Sequence, residues 1–337
     1  MSTCFQVSNE INTSTYRIRR IGYRRVSTVS EFRFGVQVSS LTHDAKELQD
    51  LARKVEDLGY SSIFFPDHLG GNQWSPIAAM TLAALSTTNI HVGGLVLSND
   101  YRHPVILAEE LSTIHEFSNG RLEYGIGAGW LKSDYAMAGL AFDSPSKRIS
   151  RLSESVDIIK VMLKGESSTY QGEFYRTENA KCITPRFGSP PLILGGGGKK
   201  MLELAAKKAD IVGVNVNLSA GSVGPELVSQ VGPRAFSERI EWVKQASKGR
   251  EKSLELQCLT FVTKVSNGAE SWLAGLVPAF GVTVEQAKEI PIVLVGSLDE
   301  VCETLLSRRE QYGFSYWVIH QHEIDEFAPV VARLARS

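Results

Sequence analysis

PLILGGGGKKMLELAAKKADIVGVNV, residues 191–216, holds a complete crossover unit. PLILG (191–195) and DIVGVNV (210–216) are apolar at successive positions, where a half-solvated strand would alternate. Between them, Lys199 to Lys208 has helical spacing. Strands apolar on both faces and joined by helices belong to a parallel sheet that helices cover.

The same unit recurs in both directions. Upstream strands are read at FRFGVQV (32–38), SSIFFPDH (61–68), IHVGGLVLS (90–98) and RLEYGIGAG (121–129). Downstream they are LELQCLTFVTK (254–264) and YWVIH (316–320). Helices fall between them. In 44–59, Leu48, Leu51, Val55 and Leu58 share a face and Gly59 stops the helix. Others are read at 76–86, 104–117, 146–163, 233–247 and 297–313. Pro104 opens one in a first turn, where its missing N–H would have no partner. Ser297 and Glu300 form a capping box for the last. Eight strands with helices between them in about 300 residues point to an α/β fold, a (β/α)8 TIM barrel with insertions. A doubly wound sheet is the second choice. The stretches 164–190 and 265–296 exceed simple loops, and 217–232 is rich in Gly and Ser.

Composition narrows the class. The 337 residues are 43% hydrophobic and 22% charged, with a formal net charge of −1. Such a balance speaks for a soluble protein and against broad nucleic-acid binding. No apolar run approaches the roughly 20 residues of a membrane helix. Cys4, Cys182, Cys258 and Cys302 lie far apart, so neither a zinc site nor a disulfide framework is indicated, and a cytoplasmic setting is expected. Residues 1–31 differ: Arg17, Arg19, Arg20, Arg24 and Arg25 crowd together among Ser and Thr. They read as a flexible basic extension, with some leaning toward a transit peptide. The barrel domain is expected over 32–337.

In a barrel, chemistry sits at the C-terminal strand ends. Gly195 to Gly198 match neither the P-loop nor the dinucleotide fingerprint. They lead into a helix whose first turn carries Lys199 and Lys200, cations that oppose the helix dipole by about 0.3–1 kcal/mol each. An anion bound there would reverse that sign, and glycines let backbone N–H groups approach it. The alternative is a solvated turn. Asp67 and His68 end the second strand; the histidine can move a proton near neutral pH, or the pair can be structural. The glycines of VGGLVLSND (92–100) mark a bulge, a close approach or plain packing. His320 and His322 lack a third ligand, so no metal site is read. Trp74, Trp130, Phe142, Trp272 and Phe280 lie in loops or insertions; they line an apolar pocket or pack locally.

Taken together, FPDH, GGLVLSNDYRHPVILAEELSTIHEFSNGRLEYGIGAGW, LILGGGGKKMLELAAKKADIVG and VGSLDEVCETLLSRREQYGFSYWVIH resemble the luciferase-like flavin and deazaflavin oxidoreductases. The resemblance runs from about Phe32 to the C-terminus and is nearest to the F420-dependent branch. It implies a (β/α)8 homodimer with the cofactor across the C-terminal face, and a separate reductase that supplies reduced cofactor. By position, Asp67 and His68 match the pair beside the ring, His68 being the proton-handling histidine. Gly94 and Leu95 match a bulge, often with a non-prolyl cis peptide, that backs the ring. Gly127 and Ala128 match the strand-four segment near the cofactor, Gly195 to Gly198 (with Lys199) the phosphate loop, and Asn215 the sixth strand's end. One departure stands out: Trp130 occupies the place of the glutamate proton donor of F420-dependent sugar-phosphate dehydrogenases. The expectation is an F420-dependent reductase of an electrophilic C=C, C=N or C=O bond, with a small-molecule or peptide substrate near Trp130, Trp74 and the 265–296 insertion. Natural-product or peptide modification is one setting for it. The alternative is an FMN-dependent monooxygenase using reduced flavin and O2.

Overall fold

The computed structural model describes residues 31–38, 44–70, 73–219, 221 and 230–337. The arginine-rich segment lies outside the described residues, apart from Glu31. The first half of the chain forms β1 (Arg33–Gln37), α1 (Ala45–Asp57), β2 (Ser62–Phe65), α2 (Pro76–Ser86), β3 (His91–Gly94), β4 (Leu97–Ser98), α3 (Pro104–Phe117) and β5 (Tyr124–Gly127). It continues with α4 (Lys132–Ala138), α5 (Pro145–Met162), β6 (Ser168–Gln171) and β7 (Arg176–Ala180). The crossover unit supplies β8 (Leu192–Gly196), α6 (Lys199–Lys208) and β9 (Ile211–Val214), followed by α7 (Pro233–Ser247). Then come β10 (Glu255–Leu259), β11 (Val262–Val265), α8 (Ala269–Leu276), α9 (Val284–Glu289), β12 (Val293–Gly296), α10 (Leu298–Tyr312), β13 (Phe314–His320) and α11 (Ile324–Leu334).

Nine parallel strand segments run in the order β3-β2-β1-β13-β10-β9-β8-β5-β4. β3 and β4 are halves of one strand, so the sheet closes on itself. Leu97 pairs with Ile126, and Val92 bridges to Leu122, with the Glu123 N–H donating to the Val92 carbonyl at 3.0 Å. The result is the (β/α)8 barrel that the unit count implies.

Side-chain direction explains the near-continuous apolar strands. Successive residues point to opposite faces. Leu192, Leu194, Trp317 and Ile319 pack outward with the helices, while Ile193, Tyr316 and Val318 fill the barrel interior with Phe64. Each fully buried side chain of this size contributes about 1.5–3 kcal/mol. α6 buries Met201, Leu202, Ala205 and Ala206 on one face.

The N-terminal end of the barrel is closed by a polar knot. Glu123, 1% exposed, accepts from the Tyr316 hydroxyl at 2.8 Å and pairs with Arg33. Arg33 also donates to Glu255 at 2.8 Å and lies over the Tyr316 ring at 4.2 Å. The Ser62 and Tyr316 hydroxyls meet at 2.5 Å. A buried ion pair is tolerable when its remaining polar atoms are hydrogen-bonded, as here.

The structure corrects several element assignments. The strand expected at 90–98 divides into β3 and β4 at the bulge that the resemblance implies, where the Leu95–Val96 peptide is cis. The strand expected at 254–264 divides: β10 stays in the barrel, and β11 leaves it to pair in parallel with β12. The 164–190 stretch contains the antiparallel hairpin β6–β7. α4 and α11 were not anticipated.

Candidate active site

A cavity of about 700 Å³ opens at the C-terminal strand ends, a size typical of small-molecule sites. Among the expected residues, Asp67, His68, Leu95, Gly127, Ala128, Trp130, Gly195, Gly196, Gly197, Gly198, Lys199 and Asn215 all line it. Gly94 and Trp74 do not. Gly94 is buried against Leu97, where a Cβ would meet Cγ at 2.6 Å. Trp74 is half-buried against the helical layer. Trp272 and Phe280 are 41% and 59% exposed on the 265–296 insertion, and no residue of that insertion lines the cavity. The insertion has its own small core of Ala269, Leu273, Val277 and Ala287, which explains its placement to the side. Phe261, just beyond β10, stands at the cavity wall in its stead.

The two residues ending the second strand diverge, as alternation requires. Asp67 pairs with Arg102 and accepts the Ser98 N–H at 3.0 Å, so its carboxylate braces β2 against β4. His68 turns the other way: its Nδ1 lies 2.7 Å from Asp134 Oδ2. Asp134, on α4, is buried and also accepts from the Tyr101 hydroxyl at 3.2 Å. Burial and then the Asp134 charge push the Tyr101 phenol well above its usual range, so it stays a donor. Trp130 stands edge-on to the His68 ring, with centroids 5.6 Å apart and planes at 89°. With Nδ1 engaged by a carboxylate, the imidazole keeps Nε2 for the cavity.

The glycine loop has two causes, position by position. A Cβ on Gly197 would lie 2.2 Å from the Val216 carbonyl carbon, and one on Gly195 would lie 2.7 Å from the Gly213 oxygen. Close approach of β8 to β9 therefore demands these two, with or without a ligand. Gly198 differs: a Cβ there meets its nearest neighbour at an ordinary 3.5 Å. It is the N-cap of α6, and no side chain caps that helix. Its first-turn N–H groups and positive dipole end thus suit an anion. Beneath the loop, the buried Arg239 guanidinium donates to the Gly197 carbonyl at 3.1 Å and to the Gln230 carbonyl at 2.7 Å. Asn215 Oδ1 accepts its neighbour's N–H at 2.7 Å, which fixes the strand end opposite.

Sequence reasoning missed three residues here. Asp134 and Arg148 line the cavity from α4 and α5. Gln257 lies in it at 2% exposure, and its Nε2 has no hydrogen-bond partner. For Gln257 a signal existed: a polar residue, two on from Glu255, inside the run LELQCL. For the other two the proximity is purely tertiary. His320 and His322 stack with centroids 5.9 Å apart. Among the described residues no group of three His, Cys, Asp or Glu is arranged to hold a metal ion.

One cavity thus holds the uncapped N-terminus of α6 and the His68–Asp134 pair. Residues 25–230 match the luciferase-like monooxygenase family, and the chain belongs to that family. It is 31% identical over 190 residues to an F420-dependent glucose-6-phosphate dehydrogenase of Nakamurella multipartita, covering 54% of this chain and 56% of that one. It is 34% identical over 173 residues to a 5,10-methylenetetrahydromethanopterin reductase of Archaeoglobus fulgidus, covering 51% and 49%. The match thus spans about half the length of these curated relatives. Among solved structures, the F420-dependent tetrahydromethanopterin reductase of Methanopyrus kandleri superposes with a TM-score of 0.71 at 18% identity, covering 90% of this chain and all of that one. An EDTA monooxygenase from Chelativorans sp. BNC1 gives 0.72 at 12% identity, covering 91% and 95%. At such identities the likeness concerns the fold. Among the described residues no helix is long and apolar enough to cross a membrane.

Proposed function

We propose that this protein is an F420-dependent oxidoreductase that reduces an electrophilic C=C, C=N or C=O bond of an organic substrate. One observation carries the reading: a single cavity joins the uncapped N-terminus of α6 to His68, whose Nδ1 is held by Asp134. The relatives that share its sequence over this region support the choice of cofactor.

The residues fit such a group. The first turn of α6 with Gly196, Gly197, Gly198 and Lys199 would hold a phosphate. Leu95, Gly127, Ala128 and Asn215 would flank the ring, and Gln257 Nε2 is an orphaned donor ready for a polar ring edge. When bound, the reduced deazaflavin supplies the hydride. The chain's own part is the proton. Asp134 accepts from Nδ1–H and fixes the ring's orientation, so that Nε2 can give a proton to the substrate or take one from it. Asp67 cannot compete, since Arg102 and the Ser98 N–H occupy it. Trp130, standing where a sugar-phosphate dehydrogenase would have its acid, adds an apolar wall and keeps water from His68. Pro66, Leu131, Leu218 and Phe261 extend that wall, which suits a neutral small molecule or peptide, a natural product among them.

Titration of the purified protein with F420 and with FMN, each followed by fluorescence, tests the reading. Saturable F420 binding with little FMN binding is the expected result. Tight FMN binding without F420 binding would overturn it in favour of a flavin-dependent monooxygenase.

A further inference from the structure

Arg148 sits in the second turn of α5, is 2% exposed, and yet lines the cavity. A guanidinium that deep ordinarily has a carboxylate against it. Among the described residues none forms an ion pair with it. Asp100 is taken by Arg151 and by the Tyr135 hydroxyl, each at 2.9 Å, and Asp143 by Arg151 and Lys147. One Nη of Arg148 donates to the Asp143 carbonyl, while its Nε is buried without a hydrogen-bond partner. The face of the guanidinium lies 4.0 Å from the centre of the Phe142 ring, which orients the charge without neutralising it.

The surroundings add to the imbalance. α5 and α6 both begin on this wall of the cavity, and neither has an acid in its first turn. The Lys200 Nζ donates to Ser146 Oγ at 2.9 Å and so ties the two N-termini together. Two positive dipole ends and a buried guanidinium share one end of the cavity, and the nearby carboxylates of Asp100 and Asp143, which lessen the charge from a distance, are paired with Arg151 and Lys147 instead. Burial draws the Arg148 pKa downward, and the nearby Tyr135, Asp100 and Asp143 offset this only in part.

We propose that Arg148 is the side-chain counter-ion of a phosphate held between the N-termini of α5 and α6. The ligand is the phosphate of the bound cofactor, so the proposal rests on the cofactor reading above and goes beyond its glycine loop. The unused N–H groups of the guanidinium supply charge-assisted hydrogen bonds that backbone amides alone do not. In the ligand-free protein the same charge is a liability, because nothing pairs with it.

The test is a comparison of two ligands that differ at the phosphate. Wild type, Arg148→Met and Arg148→Lys are titrated by fluorescence with F420 and with its phosphate-free deazaflavin riboside. Arg148→Met should weaken F420 binding about 10-fold or more and leave riboside binding unchanged, while Arg148→Lys recovers part of the loss. The melting temperature of ligand-free Arg148→Met should not fall. Equal weakening of both ligands, or no weakening of either, overturns the proposal while wild-type F420 binding still upholds the cofactor reading. If the wild type takes FMN instead, the cofactor reading falls, and FMN against riboflavin decides Arg148 in the same way. If the wild type binds no phosphorylated cofactor, both fall.

Discussion

His68 would be one imidazole among several without the carboxylate that meets it. That carboxylate arrives from α4, 66 residues later, and their 2.7 Å contact makes the pair a unit. His68→Ala should lower the rate of substrate reduction by about 10²–10⁴-fold, the usual worth of a positioned acid–base group. Asp134→Asn, which keeps the shape and removes the charge, should fall in the same range. Neither should alter cofactor affinity more than a few-fold. Stopped-flow oxidation of reduced cofactor beside a binding titration checks this; unchanged turnover in both variants would remove the pair from the mechanism. At this scale the sequence was legible wherever a residue type and a strand end coincide. Asp67-His68 and Gly195 to Gly198 are such cases, and the structure brings both to the cavity. It was illegible where chemistry depends on a distant partner. Nothing near Asp134 or Arg148 tells that they face a cavity, and nothing near Gly197 tells that it serves the β8–β9 contact.

Elements were legible in proportion to their regularity. α1 follows directly from its apolar spacing, and α10 from its capping box at Ser297 and Glu300. The break between β3 and β4 shows only as the paired glycines of 92–100, which spacing alone leaves open between a bulge, a close approach and plain packing. α11 had the spacing too, with Ile324, Phe327, Val330, Val331 and Leu334 buried along one face, but Pro329 inside it argues against a helix. Glu323, in the short turn joining β13 to α11, carries a consequence for stability. Burial pushes its carboxyl up to about 7, against accepted hydrogen bonds from the His320 N–H and Thr263, and with the nearby Glu326 charge adding to the rise. The native state therefore holds a proton there that the unfolded chain releases near the ordinary carboxyl value of about 4.3. Native binds more protons than unfolded between these values, so this residue's contribution to stability falls as pH rises through that window. Glu323→Gln should flatten the decline, read as melting temperature against pH from 5 to 8. An identical slope in both proteins would show that Glu323 does not titrate there.

The whole molecule was the most legible level, since the count of eight strand–helix units pointed to the barrel ahead of a doubly wound sheet. The insertions were not, because their position depends on which small core they join. α2 points to a partner. Its sequence PIAAMTLAALS has no charged residue, and Leu85 on it is 64% exposed. Ile106 and Phe117 are 54% and 51% exposed on α3, which packs beside it. An apolar surface of this kind is where a homodimer, as the resemblance implies, would form. Analytical ultracentrifugation should find a dimer in the wild type and a folded monomer in the Leu85→Glu/Ile106→Glu double variant. A monomeric wild type would end the inference. The polar knot of Arg33, Glu123, Tyr316 and Glu255 bears on a different matter, the order of events. It corks one end of the barrel, so everything must come and go through the other mouth. The ligand that reaches deepest then has to enter first and leave last. On the proposed function, a substrate arriving before the cofactor would block the doorway, and inhibition by excess substrate should be strongest when cofactor is scarce.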